Sequence, residues 1–277
     1  MLAPRLPVTA RDEAEPSPDA AERIEAVAKS EPSFLPRADY VSATQSNGMT
    51  VASREKIVGW YEQMGAAFGL GDHLLDLATN YLDRALSARS VSADEFRRDA
   101  VAAIYLAAKV EGAAAFKAAD VAALTRGNVT AEDLIAAEAD LVKTLQWRTH
   151  APTVAVAVLD AITFHEVSVA DEVSAFARAA RTSYELVGAP PTLVAAACVV
   201  AASPNARAVA EAASQLDTPW GGSPSRVQAA AALLRAARAK RAAARAGVAF
   251  VPVETPDDCA TVTPDPPTRS PSPYSKH

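Results

Sequence analysis

The chain has 277 residues, half of them apolar and only 6% aromatic, and a formal net charge of −6. No apolar run reaches the ~18 residues of a membrane span, and no stretch gathers the basic face that phosphate binding requires, so neither an integral membrane protein nor a nucleic-acid binder is expected. Two cysteines, Cys198 and Cys259, give no disulfide framework or thiolate metal site, and residues 1–10 lack a basic stretch followed by an apolar one, so a reducing compartment without secretion is expected.

Proline divides the chain. Six of the 19 prolines lie in residues 1–45 and seven in 252–277. Both ends are polar and without an apolar stripe, so residues 1–45 and 247–277 read as mostly disordered tails, with a short amphipathic helix over 19–29 as the one local exception. From residue 54 the pattern turns helical. Ile57, Tyr61, Met64 and Phe68 share one face, and Gly69 and Gly71 end that run. Asp72 opens a helix carrying Leu74, Leu75, Ala78, Tyr81, Leu82 and Leu86. Ser92 with Glu95 forms a capping box ahead of 96–110, which is apolar nearly all round and so belongs at the centre of a bundle. A short helix over 118–125 stops at Gly127-Asn128, and Thr130 with Asp133 opens a helix over 131–147.

Beyond Ala151-Pro152 the arrangement repeats. Helices are expected near 153–163, 169–187, 192–203, 205–215 and 224–245, the third of them small and apolar all round and entered through Pro190-Pro191. Two groups of about five helices, each with an alanine-rich centre, predict a duplicated all-α unit over 46–151 and 152–246.

Catalytic chemistry finds little footing. His73, His150, His165 and His277 are scattered, and the sequence has no metalloprotease, nucleophile-elbow or phosphate-loop motif. No metal, no cofactor and no enzymatic activity are expected. What stands out is polar residues in apolar helical settings. Lys109 ends the most apolar helix of the first unit; on pattern alone it reads first as a cation complementing the helix C-terminus and snorkelling outward. Glu138, flanked by alanines, reads first as a solvated helix glutamate. Arg54 and Asp83 are either two surface charges or one buried pair, since an acid on an apolar face needs a cation.

These residues also carry a resemblance. Arg54 with Ile57-Val58-Gly59-Trp60, the run Asn80-Tyr81-Leu82-Asp83-Arg84-Ala85-Leu86-Ser87, and Ala107-Ala108-Lys109-Val110-Glu111 followed by Glu138 and Trp147 resemble a cyclin box over about residues 50–152, with 153–240 as a weaker second cyclin fold. Ser33-Phe34-Leu35-Pro36 with Tyr40, Ile57–Trp60 and Leu145-Gln146-Trp147 look most like D-type cyclins. The resemblance implies a tandem cyclin fold and a non-catalytic regulatory subunit that binds and activates a cyclin-dependent Ser/Thr kinase, at G1/S if D-type, in nucleus and cytoplasm. It makes Lys109 and Glu138 the kinase anchors, with Leu106, Val110, Glu111, Val142 and Trp147 around them, and gives Arg54–Asp83 a fold role.

The resemblance further implies a groove for substrates or inhibitors at Ile57, Trp60, Phe96 and Arg97, although Ser53 is polar where a large apolar residue is expected, and Trp60 reads equally as core. The L-x-C-x-E motif of many D-type cyclins is absent, and Gly112 and Ala113 replace the more polar residues usual after the lysine motif. Thr255, Thr263, Ser270 and Ser272, each before a proline, are candidate phosphorylation sites controlling turnover, and Ser17 at the other end is a candidate phosphorylation site; chance pairing in a Pro/Ser/Thr-rich tail explains such dipeptides as well. The basic stretch 235–245 reads as a solvated helix face or an import signal. The alternatives are a cyclin-fold scaffold that does not activate a kinase and a transcription-associated relative; the near-neutral middle and the missing zinc-ribbon cysteines argue against the latter.

Overall fold

A computed structural model describes residues 18–113, 117–125, 128–165, 170–203 and 224–247. Every regular element among them is helical. Helix α1 (Pro18–Ser30) and a short α2 (Tyr40–Ala43) precede the first unit of α3 (Val51–Phe68), α4 (Asp72–Ala88), α5 (Ala93–Val110), α6 (Ala118–Leu124) and α7 (Ala131–Thr144). The second unit contains α8 (Val154–His165), α9 (Ala170–Thr182), α10 (Pro191–Ala202) and α11 (Pro224–Gly247). The helix expected near 205–215 and the sites Ser17, Thr255, Thr263, Ser270 and Ser272 lie outside the described residues.

Local chemistry sets the helix ends. Ser92 and Glu95 cap α5 reciprocally, as Thr130 and Asp133 cap α7. Helix α5 stops at Gly112, whose φ of +69° lets Gly112 N–H reach the Lys109 carbonyl and Ala113 N–H the Ala108 carbonyl, a Schellman ending that favours glycine. Residues 100–108 of α5 are buried without a break, and this helix packs chiefly between α4 and α7. Helix α10 plays the same part in the second unit, buried from Thr192 to Val200 and packed on α8, α9 and α11. Alanine brings the flanking helices close on every side, so aliphatic neighbours can fill a core that holds few aromatic rings.

The two apolar cores are separate, one built from α3–α7 and the other from α8–α11, and a network of buried charge joins them. Arg54 of α3 donates from Nε and Nη2 to Asp83 of α4 at 2.8 and 2.7 Å. Its Nη1 reaches the carbonyls of Arg181 and Thr182, both at 3.3 Å, in the second unit. Arg181 in turn donates to Asp76 at 2.6 Å and Asp72 at 2.7 Å on α4. The expected single helix over 169–187 is therefore two elements. Helix α9 ends at Thr182 because its last carbonyls face a buried guanidinium, and a 3-10 turn, Tyr184–Leu186, follows. Helix α11 closes the joint from outside, with Lys240 on Glu55 at 2.7 Å and Arg241 forked onto Glu62 at 2.5 and 2.6 Å. Lys240 and Arg241, read from sequence as part of a basic patch, thus spend their charge on α3.

The N-terminal segment departs from expectation. Residues 18–45 form structure rather than a disordered tail: α1 is the short helix expected over 19–29 and places Ile24 in the second core, and Tyr40 is fully buried in the first. The physical reason is long-range. The buried Glu31 carboxylate accepts from the Thr192 backbone N–H at 2.6 Å and from its hydroxyl at 2.9 Å, capping α10 from 161 residues away. The Tyr40 hydroxyl donates to Asp83 at 2.8 Å.

Candidate functional site

Packing of α5 against α7 brings the last turn of one beside the middle of the other. Lys109 Nζ donates to Glu138 Oε1 at 2.5 Å and stands 5.4 Å from the centre of the Tyr105 ring. The Lys109 side chain is 50% exposed and that of Glu138 12%. The hydrogen bond to Glu138 raises the Lys109 pKa above its ordinary value, against a smaller opposing effect of burial. Both anchors expected from the resemblance thus sit on one face, already in contact.

The surroundings differ in part from expectation. Leu106 and Val142 are buried in the first core and offer almost no surface, because the anchors lie directly above the α5–α7 packing seam. Val110 is half-buried. Glu111 turns away: its carboxylate faces His73 Nε2 at 3.3 Å, beside a cavity of about 280 Å³ shared by α1, α4, α8 and the linker at His150–Thr153. Apolar exposure comes instead from Trp147, 77% exposed, and from Ile135, 54% exposed and one turn before Glu138. Ile135 was not singled out from the sequence, where an isoleucine on a helix reads as core; its signal is the position i−3 to Glu138, which puts both on one face.

Trp147 owes its exposure to the turn that ends α7. Trp147 N–H bonds the Val142 carbonyl at 3.0 Å and Gln146 N–H that of Lys143 at 2.9 Å. This is again a Schellman ending, but Gln146 and Trp147, at φ +55° and +61°, occupy the left-handed region without a glycine.

Three of the four residues expected to form a groove line one small cavity. Ile57, Phe96, Arg97 and Ser53 line a cavity of about 90 Å³ together with Met49 and Val91. Arg97 is paired with Asp94. Trp60 is not among the lining residues; it is half-buried against the first core, with its ring 5.8 Å from that of Tyr61. Ser53 is polar for a local reason: its N–H donates to the Thr50 hydroxyl at 3.1 Å, and the two hydroxyls bond at 3.0 Å, which caps α3. Among the described residues no group of three histidines, cysteines or acids could hold a metal ion, and no helix is long and apolar enough to cross a membrane. A charge pair with an exposed isoleucine one helical turn away suits adhesion, because anchors of this kind gain strength when a partner excludes water from them.

Comparison with known proteins gives this geometry a context. Residues 22–150 match the family model of the cyclin N-terminal domain. Cyclin-A3-2 of Arabidopsis thaliana is 28% identical over 123 residues, covering 44% of this chain and 33% of that protein. The G1/S-specific cyclin-E of Caenorhabditis briggsae is 31% identical over 115 residues, covering 41% of this chain and 22% of that protein. In these and similar relatives the matched region is about a third of the relative's length or less. Among solved structures, a viral cyclin from herpesvirus saimiri superposes with a TM-score of 0.64 at 16% identity, over 79% of this chain and 97% of that one. The fold is an all-α tandem cyclin fold, and the sequence matches support the cyclin family for the chain.

Proposed function

We propose that this chain is the regulatory subunit of a cyclin-dependent Ser/Thr protein kinase, binding it through the face of Lys109, Glu138, Ile135 and Trp147 and activating it without catalysing the reaction. The observation that carries the reading is the Lys109–Glu138 pair, its ammonium half in solvent, with Ile135 exposed one turn before Glu138 on the same helix face. A kinase becomes active when its C-helix glutamate pairs with its strand lysine. A subunit that binds the helix-in arrangement more tightly than the alternative shifts that equilibrium by its differential affinity. The groove at Ile57, Phe96 and Arg97 is the proposed docking place for substrates or inhibitors. Residence in nucleus and cytoplasm follows from the same role.

The narrower form is a D-type, G1/S subunit, supported by the wording around Ser33–Tyr40, Ile57–Trp60 and Leu145–Trp147. The curated relatives include a G1/S-specific cyclin-E and a G2/mitotic-specific cyclin C13-1 of Daucus carota, so the kinase that co-purifies with the chain decides the phase. The test is capture of cyclin-dependent kinase by the wild-type chain and by Lys109→Ala/Glu138→Ala, followed by phosphorylation of histone or a retinoblastoma-type substrate. The double variant is expected to lose the kinase while its melting temperature barely moves, because a pair whose ammonium stays half in solvent contributes only ~0.2–1 kcal/mol to folding. Capture at wild-type yield removes the anchor assignment. Capture without added kinase activity leaves a scaffold.

A further inference from the structure

The run Asn80-Tyr81-Leu82-Asp83-Arg84 has a second use beyond the ion pair at Asp83. Asn80 Nδ2 donates to the Phe34 carbonyl at 2.9 Å, and the Tyr81 hydroxyl donates to the Thr149 carbonyl. Arg84 forks across the turn that follows α7, with Nη2 donating to the Leu145 carbonyl at 3.1 Å and Nη1 to the Arg148 carbonyl at 2.8 Å. Those two carbonyls bracket Gln146 and Trp147, the two residues held at positive φ. On its other side the Arg84 guanidinium lies 5.4 Å from the centre of the Phe34 ring, which places it between the N-terminal segment and the turn.

A left-handed pair without glycine persists only where its surroundings over-determine it. The two Schellman bonds also form at Gly112, where glycine takes the strain; at Gln146 something else must. A planar guanidinium with donors fixed in a fork suits two carbonyls on either side of a turn, which a single ammonium cannot span. We propose that Arg84 is a positioning residue: clamped beneath Phe34, it holds the 145–148 turn left-handed and so aims Trp147 outward on the partner-binding face. The N-terminal segment is thereby coupled to that face, since Phe34 sits on the same guanidinium. This inference rests on the proposed kinase-binding function for its affinity readout, but its geometric part needs no partner.

The experiment uses the full chain with Arg84→Met, Arg84→Lys, Trp147→Ala and Arg84→Met/Gln146→Gly. Without a partner, backbone Cα chemical shifts and HN–Hα couplings of Gln146 and Trp147 report the sign of φ. The left-handed signature is expected to be lost at both residues in Arg84→Met and regained at Trp147 in Arg84→Met/Gln146→Gly, because glycine at 146 takes a φ of about +55° unaided and re-forms the turn that holds Trp147. With the kinase that co-purifies with the wild-type chain, Arg84→Met is expected to weaken affinity about as much as Trp147→Ala, roughly tenfold or more. Adding Gln146→Gly should recover most of that, and Arg84→Met combined with Trp147→Ala should be no weaker than Trp147→Ala alone. A purely structural arginine would not be rescued from the far side of the turn. Should Arg84→Met unfold, Arg84→Lys carries the same two readouts. An unchanged φ signature overturns the inference, as does wild-type kinase affinity in Arg84→Met while Lys109→Ala/Glu138→Ala still abolishes capture. Failure of the function itself looks different: Lys109→Ala/Glu138→Ala then keeps wild-type capture.

Discussion

Asp83→Ala attacks the joint between the two units at its centre. Asp83 accepts three hydrogen bonds, two from Arg54 and one from Tyr40, and the Arg54 and Asp83 side chains are 3% and 5% exposed. Removing the carboxylate leaves a buried guanidinium with only two carbonyls at 3.3 Å. Breaking a buried pair from one side costs ~3–5 kcal/mol, and the orphaned Tyr40 hydroxyl adds ~1 kcal/mol or more. The expected loss of about 4–6 kcal/mol approaches the whole stability of an ordinary domain. At about 2–4 °C per kcal/mol for a chain of this size, the melting temperature falls by ~10–20 °C. Thermal unfolding followed by far-UV circular dichroism measures that shift, and urea unfolding the free energy. The companion variant Arg54→Met/Asp83→Leu removes both charges and should recover most of the loss, because the penalty lies in the unpaired cation rather than in the missing attraction. An Asp83→Ala midpoint displaced by less than ~1 kcal/mol, or a companion no more stable than the single variant, refutes the reasoning.

The N-terminal cap gives a pH prediction. Burial holds the Glu31 carboxyl above its ordinary value of 4.5, against the lowering effect of the two Thr192 bonds. The stability this group contributes is thus fully present below 4.5 and is lost as pH rises through the raised folded-state value. Urea midpoints measured upward from about pH 4 should show that descent in the wild-type chain and not in Glu31→Gln; parallel curves reject the linkage. Two glycines make a matched pair. A Cβ at Gly188, φ +79°, meets the Pro36 carbonyl at 3.0 Å, whereas one at Gly48, φ +82°, meets nothing within 4 Å. Gly188→Ala should therefore cost ~1 kcal/mol more than Gly48→Ala in thermal or urea unfolding, and equal costs would show that the 36–38 segment yields freely.

What could be read from the sequence was whatever local periodicity and capping decide. The boxes at Ser92/Glu95 and Thr130/Asp133 place the starts of α5 and α7, and unbroken runs of small apolar residues mark α5 and α10 as the two centres. Contacts far apart in the chain were not legible in the same way. Helix α1 has a sparse apolar stripe, and its docking is decided by Glu31 at the start of α10, a pairing that no window of neighbouring residues contains. Lys240 and Arg241 look like a basic patch until folding sets them against Glu55 and Glu62, 185 and 179 residues away. At the site, Lys109, Glu138 and Trp147 were legible through the motif, but the exposed Ile135 was not. Leu106 and Val142 have the composition of a docking patch and the burial of a core, whereas Ile135 has the composition of core and lies outside. The left-handed turn at Gln146-Trp147 carries no glycine to announce it.

The same chemistry, a cation on a carboxylate, serves opposite ends at the two places where it matters most. At Arg54–Asp83 water is excluded and every donor is turned inward, so the pair fixes a relative arrangement of helices and breaking it endangers the fold. At Lys109–Glu138 the ammonium stays half in solvent, so the pair adds little to folding and its donors remain free to be shared when a second surface removes the water. Exposure therefore separates the two roles more reliably than residue type does. It also requires the consequences of substitution to diverge, with stability lost at the first pair and association lost at the second. Arg84 lies between these regimes, partly buried and bonded to carbonyls rather than to an acid. Its loss should register in the shape of one turn, which neither a stability measurement nor a binding measurement alone would reveal.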